Sequence, residues 1–154
     1  MVGSGEREPA LRAYVSDKGL EDVVHWLGWR KDLPHVFPAF DVTALTSFDE
    51  GTPVSLIESL ASGTPVVSLA VGGVPEILGG GELGRLVHSA SDDEVADAIE
   101  SVLASPPSGE DAERVRNLVL ESFSIRWLAG DVERLYEEAL ERAGLRIRVQ
   151  GDRA

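Results

Sequence analysis

Glu50-Gly51-Thr52-Pro53-Val54-Ser55-Leu56-Ile57-Glu58 is a small-residue turn running into a helix, with a carboxylate at each end. Gly51 permits a sharp bend, Thr52 is a competent N-cap and Pro53 a favoured first helical residue, so the stretch predicts a helix over 53–62. The start of such a helix presents free backbone N–H groups and the positive end of its dipole, which together attract an anion. Glu50 precedes that start, and Glu58 lies about one and a half turns beyond it. Carboxylates accept paired hydrogen bonds from neighbouring hydroxyls while the helix start holds a phosphate. A ligand with both groups, such as a nucleotide sugar, suits this chemistry.

Outward from that stretch the chain alternates short apolar runs with helical periodicity, the pattern of an α/β domain. Helices are predicted at 7–17, with Leu11, Tyr14 and Val15 inward, at 31–38 (short and broken by prolines) and at 74–78. Strands are predicted at Val23–Leu27, at Val42–Leu45 as a buried strand, at Pro65–Ala70 and at Arg85–Val87. Met1 to Gly5 reads as a strand end and the turn after it. From Ser91 the chain is helical. Ser91 and Glu94 have capping-box spacing ahead of the stripe Val95, Ile99, Val102 and Leu103. Helices at 110–122 and 126–142 follow, and 145–154 reads as a disordered tail after a domain spanning 1–144.

Strands separated by single helices pair in parallel through right-handed crossovers, giving a Rossmann-like parallel sheet with flanking helices. Ligands in such sheets bind beyond the carboxyl ends of the strands. The loops Gly28–Asp32, Ser47–Thr52 and Val71–Gly73 meet that condition and predict a single site.

The 154 residues carry a formal net charge of −13. Nucleic acid and anionic membranes need a basic surface, so neither is expected as a partner. The chain has no cysteine, which excludes disulfides and thiolate metal sites. His25, His35 and His88 share no ligand spacing, so no metal and no cofactor is expected. No apolar run approaches the ~20 residues of a membrane span, and the expected compartment is the cytoplasm. Trp26 and Trp127 read as packing residues, while Trp29 suits either packing or stacking on a base.

The order Asp41-Val42, Thr46-Ser47, Glu50-Gly51, Glu58, Gly63-Thr64-Pro65-Val66-Val67, Gly72-Gly73 and Glu76 strongly resembles the C-terminal domain of the GT-B retaining glycosyltransferases of family 4. Two glutamates separated by seven residues are that family's signature, and the resemblance covers Val2 to about Tyr136. It implies that Glu50 touches the transferred sugar near the reacting centre and that Glu58 accepts hydrogen bonds from the donor's ribose. Gly51, Thr52 and the backbone of Val54 and Ser55 would hold the distal phosphate. Pro53 stands where relatives often have glycine, which removes one N–H donor. Arg30 and Asp32 match positions that touch the nucleobase. Gly72 and Gly73 would line the site, chiefly by allowing close backbone approach.

The same resemblance implies a fold incomplete at its N-terminal side. Relatives carry an Arg/Lys clamp for the pyrophosphate and an acceptor-binding domain ahead of the region matching Met1, and any membrane contact would run through that half. With its first strands absent, the sheet is expected to show a gap between Val23–Leu27 and Val42–Leu45 or their direct pairing. The chain is thus expected to be the donor-binding part of a hexosyltransferase, inactive by itself. A non-catalytic nucleotide-binding module or an inert remnant stands as the alternative reading, with half of a nucleotide-sugar epimerase weaker than either.

Overall fold

Val66-Val67-Ser68-Leu69 forms the middle strand of a parallel sheet, and all four residues are buried. Successive side chains of a strand point to opposite faces, so continuous burial requires cover on both sides. Both covers are present in this computed structural model, which describes residues 1–145. On one face Val66 packs with Leu56, Leu60, Val74, Ile77, Leu78 and Val119. On the other, Val67 and Leu69 pack with Val87 and Ala98.

The described chain divides into two compact units, Met1–Val36 and a second starting at Phe37. In the first, α1 (Glu8–Asp17) is followed by irregular chain and by the short α2 (Leu33–Val36). The second opens with a 3-10 turn, Phe37–Ala39, and continues as β1 (Thr43–Leu45), α3 (Val54–Ala61), β2 (Val66–Leu69) and α4 (Val74–Ile77). A second 3-10 turn, Gly79–Gly81, precedes β3 (Arg85–Val87), and α5 (Asp92–Ala104), α6 (Gly109–Phe123) and α7 (Ile125–Arg142) complete it. The sheet order is β1-β2-β3, parallel throughout, with Thr43 opposite Val66 and Val67 opposite Arg85. The fold class is therefore the expected one, α/β with a Rossmann-like parallel sheet and flanking helices.

A buried hydroxyl relay ties α3 to its neighbours. Ser59 Oγ donates to Thr43 Oγ1 at 2.8 Å and lies 3.2 Å from the Thr64 carbonyl, while Thr64 Oγ1 donates to the Phe37 carbonyl at 2.7 Å. Among the described residues no buried side-chain polar atom lacks a partner, as burial away from water demands.

Several expectations fail for local reasons. Val23–Leu27 is not a ladder strand: the Val23 and Val24 N–H groups both donate to the Leu20 carbonyl in a turn. Only its end is extended, where Leu27 N–H donates to Met1 O, Gly3 N–H donates to Gly28 O, and Val2 bridges Gly28 in parallel. The sheet accordingly has three strands, not four. β1 is half-buried, not buried, because it is the edge of that sheet.

In α1 only Val15 is buried, while Leu11 and Tyr14 are exposed; Lys18 Nζ sits 5.5 Å from the Tyr14 ring. Trp26 is half-buried, with the Arg12 guanidinium 4.6 Å above its ring. The cap of α3 is Pro53 and not Thr52, and no side chain bonds to it. Ser91 is the N-cap of α5 but closes no capping box; its own N–H is donated to Ser89 Oγ. Trp127 is exposed, in a helix with no buried residue. The expected tail lies outside the described residues except Leu145, whose N–H donates to Leu140 O.

Leu56 is fully buried at the centre of the larger cluster. Leu56→Ala removes those contacts and leaves a cavity, for an expected loss of about 2–5 kcal/mol. Urea unfolding followed by circular dichroism should show the midpoint fall with the slope unchanged.

Candidate functional site

Two loops leave the carboxyl ends of the neighbouring strands β1 and β2, and they touch. Gly73 N–H donates to the Glu50 carbonyl at 3.1 Å. A β-carbon on Gly72 would lie 1.8 Å from Glu50 O, and one on Gly73 would lie 2.2 Å from Gly51 O. Real β-carbons do not approach a carbonyl oxygen so closely, so glycine at 72 and 73 is what lets the loops meet. Gly72 has φ +49°, a second reason for glycine there. The close approach expected of this pair is therefore made to another loop of the same chain.

At the head of α3, Val54 N–H donates to Thr52 O at 2.8 Å across Pro53, whose φ −73° and ψ 81° form an inverse γ-turn. The N–H of Val54 is thus in use locally. The Ser55 N–H has no backbone acceptor among the described residues and is the free donor at the helix start. Leu56, Ser59 and Leu60 face inward, which leaves Val54 and Glu58 on the outer stripe four residues apart. Helical side chains lean toward the N-terminus, so Glu58 leans over the turn that carries Ser55. Gly51 and Thr52 are exposed, and Glu50 and Ser55 are half-buried. Neither the Glu50 nor the Glu58 carboxylate has a hydrogen-bond or ion-pair partner among the described residues. Both remain free to accept from a ligand.

Arg30 and Asp32 belong to the first unit and pair with each other. Arg30 Nε donates to Asp32 Oδ1 at 2.8 Å and Nη2 to Oδ2 at 2.5 Å. This fork, with the charge attraction added to it, holds the Asp32 carboxyl below its ordinary range and raises the Arg30 guanidinium above its own. Trp29, beside them in sequence, is exposed and not a packing residue.

Sequence reasoning missed the contact between the two loops. Its signal was present in the adjacent Gly72-Gly73, where only one glycine is needed for a turn. It also missed the γ-turn at Pro53.

A parallel sheet with touching glycine-bearing loops at its carboxyl end defines a Rossmann-like α/β domain. The family description of glycosyl transferases group 1 matches residues 1–118, and the chain belongs to that family. It is 36% identical over 140 residues to a D-inositol 3-phosphate glycosyltransferase of Corynebacterium aurimucosum, a match covering 90% of this chain and 33% of that one. Among solved structures it resembles Anabaena HepE in complex with UDP and glucose, with TM-score 0.80 and 25% identity over 89% of this chain and 39% of that one. Sucrose-phosphate synthase from Thermosynechococcus elongatus gives TM-score 0.77 and 27% identity, covering 92% and 38%. The fold is that of a GT-B glycosyltransferase domain, and the chain spans 33% of the curated relative's length.

The Arg30–Asp32 fork makes a prediction in pH. A carboxyl depressed on folding stabilises the folded loop above its unfolded pKa, and that contribution fades as pH falls through the lowered value. Arg30→Gln should return the Asp32 carboxyl toward the ordinary aspartate range. A side-chain NMR titration of Asp32 checks this; an unmoved midpoint would mean that Arg30 is not the cause.

Proposed function

We propose that this chain supplies the donor-binding part of a glycosyltransferase, one that moves a hexosyl group from a nucleoside-diphosphate sugar to an acceptor with retention of anomeric configuration. Two unpartnered carboxylates around the free head of α3 carry the reading, since they offer acceptors for hydroxyls beside a donor for phosphate. Membership of the glycosyl transferases group 1 family supports it, as does the bound UDP and glucose of the similar HepE structure.

In this reading Glu58 accepts from the ribose hydroxyls and Glu50 from the sugar about to be transferred. The Ser55 N–H and the α3 dipole face the distal phosphate, where charge grows as the anomeric C–O bond breaks and the diphosphate departs. Val54 N–H joins them only by giving up Thr52 O, so binding opens the γ-turn. Acceptor recognition and turnover belong to the whole protein.

Calorimetry of the chain with UDP, GDP and ADP tests the assignment, with one of the three expected to bind at a single site. Glu58→Gln replaces a charged acceptor by a neutral amide, and about 1.5–3 kcal/mol should be lost, roughly 10- to 150-fold in affinity. An affinity untouched by Glu58→Gln removes Glu58 from the site. Failure of all three nucleotides to bind favours the inert-remnant reading.

A further inference from the structure

We infer that Gly72 and Gly73 are positioning residues: the turn they form clamps the backbone of Glu50 and so sets where its carboxylate stands. The inference rests on the donor-binding reading for what Glu50 does, but its geometric half is independent of any ligand.

The clamp is directional. On one side lies a turn that cannot move freely. It leaves the buried end of β2 at Leu69, is closed by Val71 N–H on Leu69 O at 2.9 Å and by Val74 N–H on Val71 O at 3.0 Å, and continues into the fully buried Val74. On the other side lies the stretch from Phe48 to Thr52, in which Phe48, Asp49, Gly51 and Thr52 are exposed and Glu50 is half-buried. Among the described residues, the one backbone bond joining the two runs from Gly73 N–H to Glu50 O. The rigid partner therefore fixes the loose one.

Gly73 supplies the sharper evidence. Its φ −81° and ψ 0° suit any residue, so its own conformation does not call for glycine. What excludes a side chain there is the Gly51 carbonyl, 2.2 Å from the position a β-carbon would take. That oxygen is backbone and cannot swing aside as a side-chain end does. A β-carbon at 73 must push the 51–52 peptide outward and, through Gly51, shift the adjoining backbone of Glu50 that presents its carboxylate. Gly63 is the natural contrast. It has φ +81° just past the other end of α3, but nothing lies within 4 Å of its would-be β-carbon. Alanine at 63 strains the backbone without touching Glu50.

The experiment compares the 154-residue chain with its Gly73→Ala, Gly63→Ala and Glu50→Gln variants. Carboxyl and amide NMR shifts are read first, and then the affinities for UDP and UDP-glucose. In Gly73→Ala the Glu50 carboxyl and the amides of 49–52 should shift, while Gly63→Ala leaves them in place. In Gly73→Ala the preference for UDP-glucose over UDP should fall about tenfold, toward the Glu50→Gln value, as for loss of one charged hydrogen bond. A general loosening of the fold would lower both affinities together. That pattern, or an unmoved Glu50 carboxyl, overturns the inference. If the unmodified chain binds neither nucleotide, the donor reading has failed for these probes, and the Glu50 resonance alone decides the clamp. Should Gly73→Ala not fold, amide exchange in the unmodified chain decides: the clamp requires a protected Gly73 N–H, and free exchange there refutes it.

Discussion

Everything in the second unit depends on covering both faces of β2. A four-residue strand has too little backbone to hold itself, and its stability comes from side chains on either side. Val66 draws in α3, α4 and α6 on one face, while Val67 and Leu69 draw in β3 and α5 on the other. Once these layers are in place, the crossover β1–α3–β2 has its handedness and the loop after β1 is brought beside the loop after β2. The candidate site is a by-product of that packing: its two loops meet because their strands are neighbours.

The meeting of the loops adds a second constraint of a different kind. Core packing tolerates small adjustments, but a carbonyl oxygen against an α-carbon leaves none. At Gly72 and Gly73 the backbone of one loop fills the space that side chains would take, so the position of Glu50 is set by peptide groups. Peptide groups have no rotamers to lose, so the backbone of Glu50 is held without a side-chain entropy cost. Glu58 is fixed differently, through the inward anchoring of Leu56, Ser59 and Leu60 on the same helix.

The parts that were legible in the sequence are those decided by local signals. The run Val66–Leu69 is apolar except for Ser68 and bounded by Pro65 and Gly72, the amphipathic stripe of α5 has the helical period, and the head of α3 carries proline beside its first turn. What was not legible depended on competition for hydrogen bonds. Val23 and Val24 read as a strand by composition, but their N–H groups are taken by Leu20 O, and β-propensity has no say in that. Thr52 reads as a cap by residue type, yet Pro53 takes the position and the Thr52 carbonyl serves the γ-turn instead. Similarly, only the fold brings Thr43 Oγ1 and the Thr64 carbonyl within reach of the Ser59 hydroxyl.

The sign of the charges around α3 restricts what may bind. With Glu50, Glu58 and the neighbouring Asp49 near its head, and a net charge of −13 on the chain, bare phosphate meets repulsion as well as the helix dipole. A pair of unit charges about 4 Å apart interacts by roughly 1 kcal/mol in water and roughly 4 kcal/mol at a protein surface. The macrodipole returns only about 0.3–1 kcal/mol at an exposed helix start. On the proposed reading, phosphate alone would therefore be disfavoured here. The balance changes when hydroxyls stand between the phosphate and the carboxylates, because each carboxylate then accepts hydrogen bonds while its separation from the phosphate grows. In the proposed reading, Glu50 and Glu58 would therefore favour an anion that carries hydroxyl groups over phosphate alone.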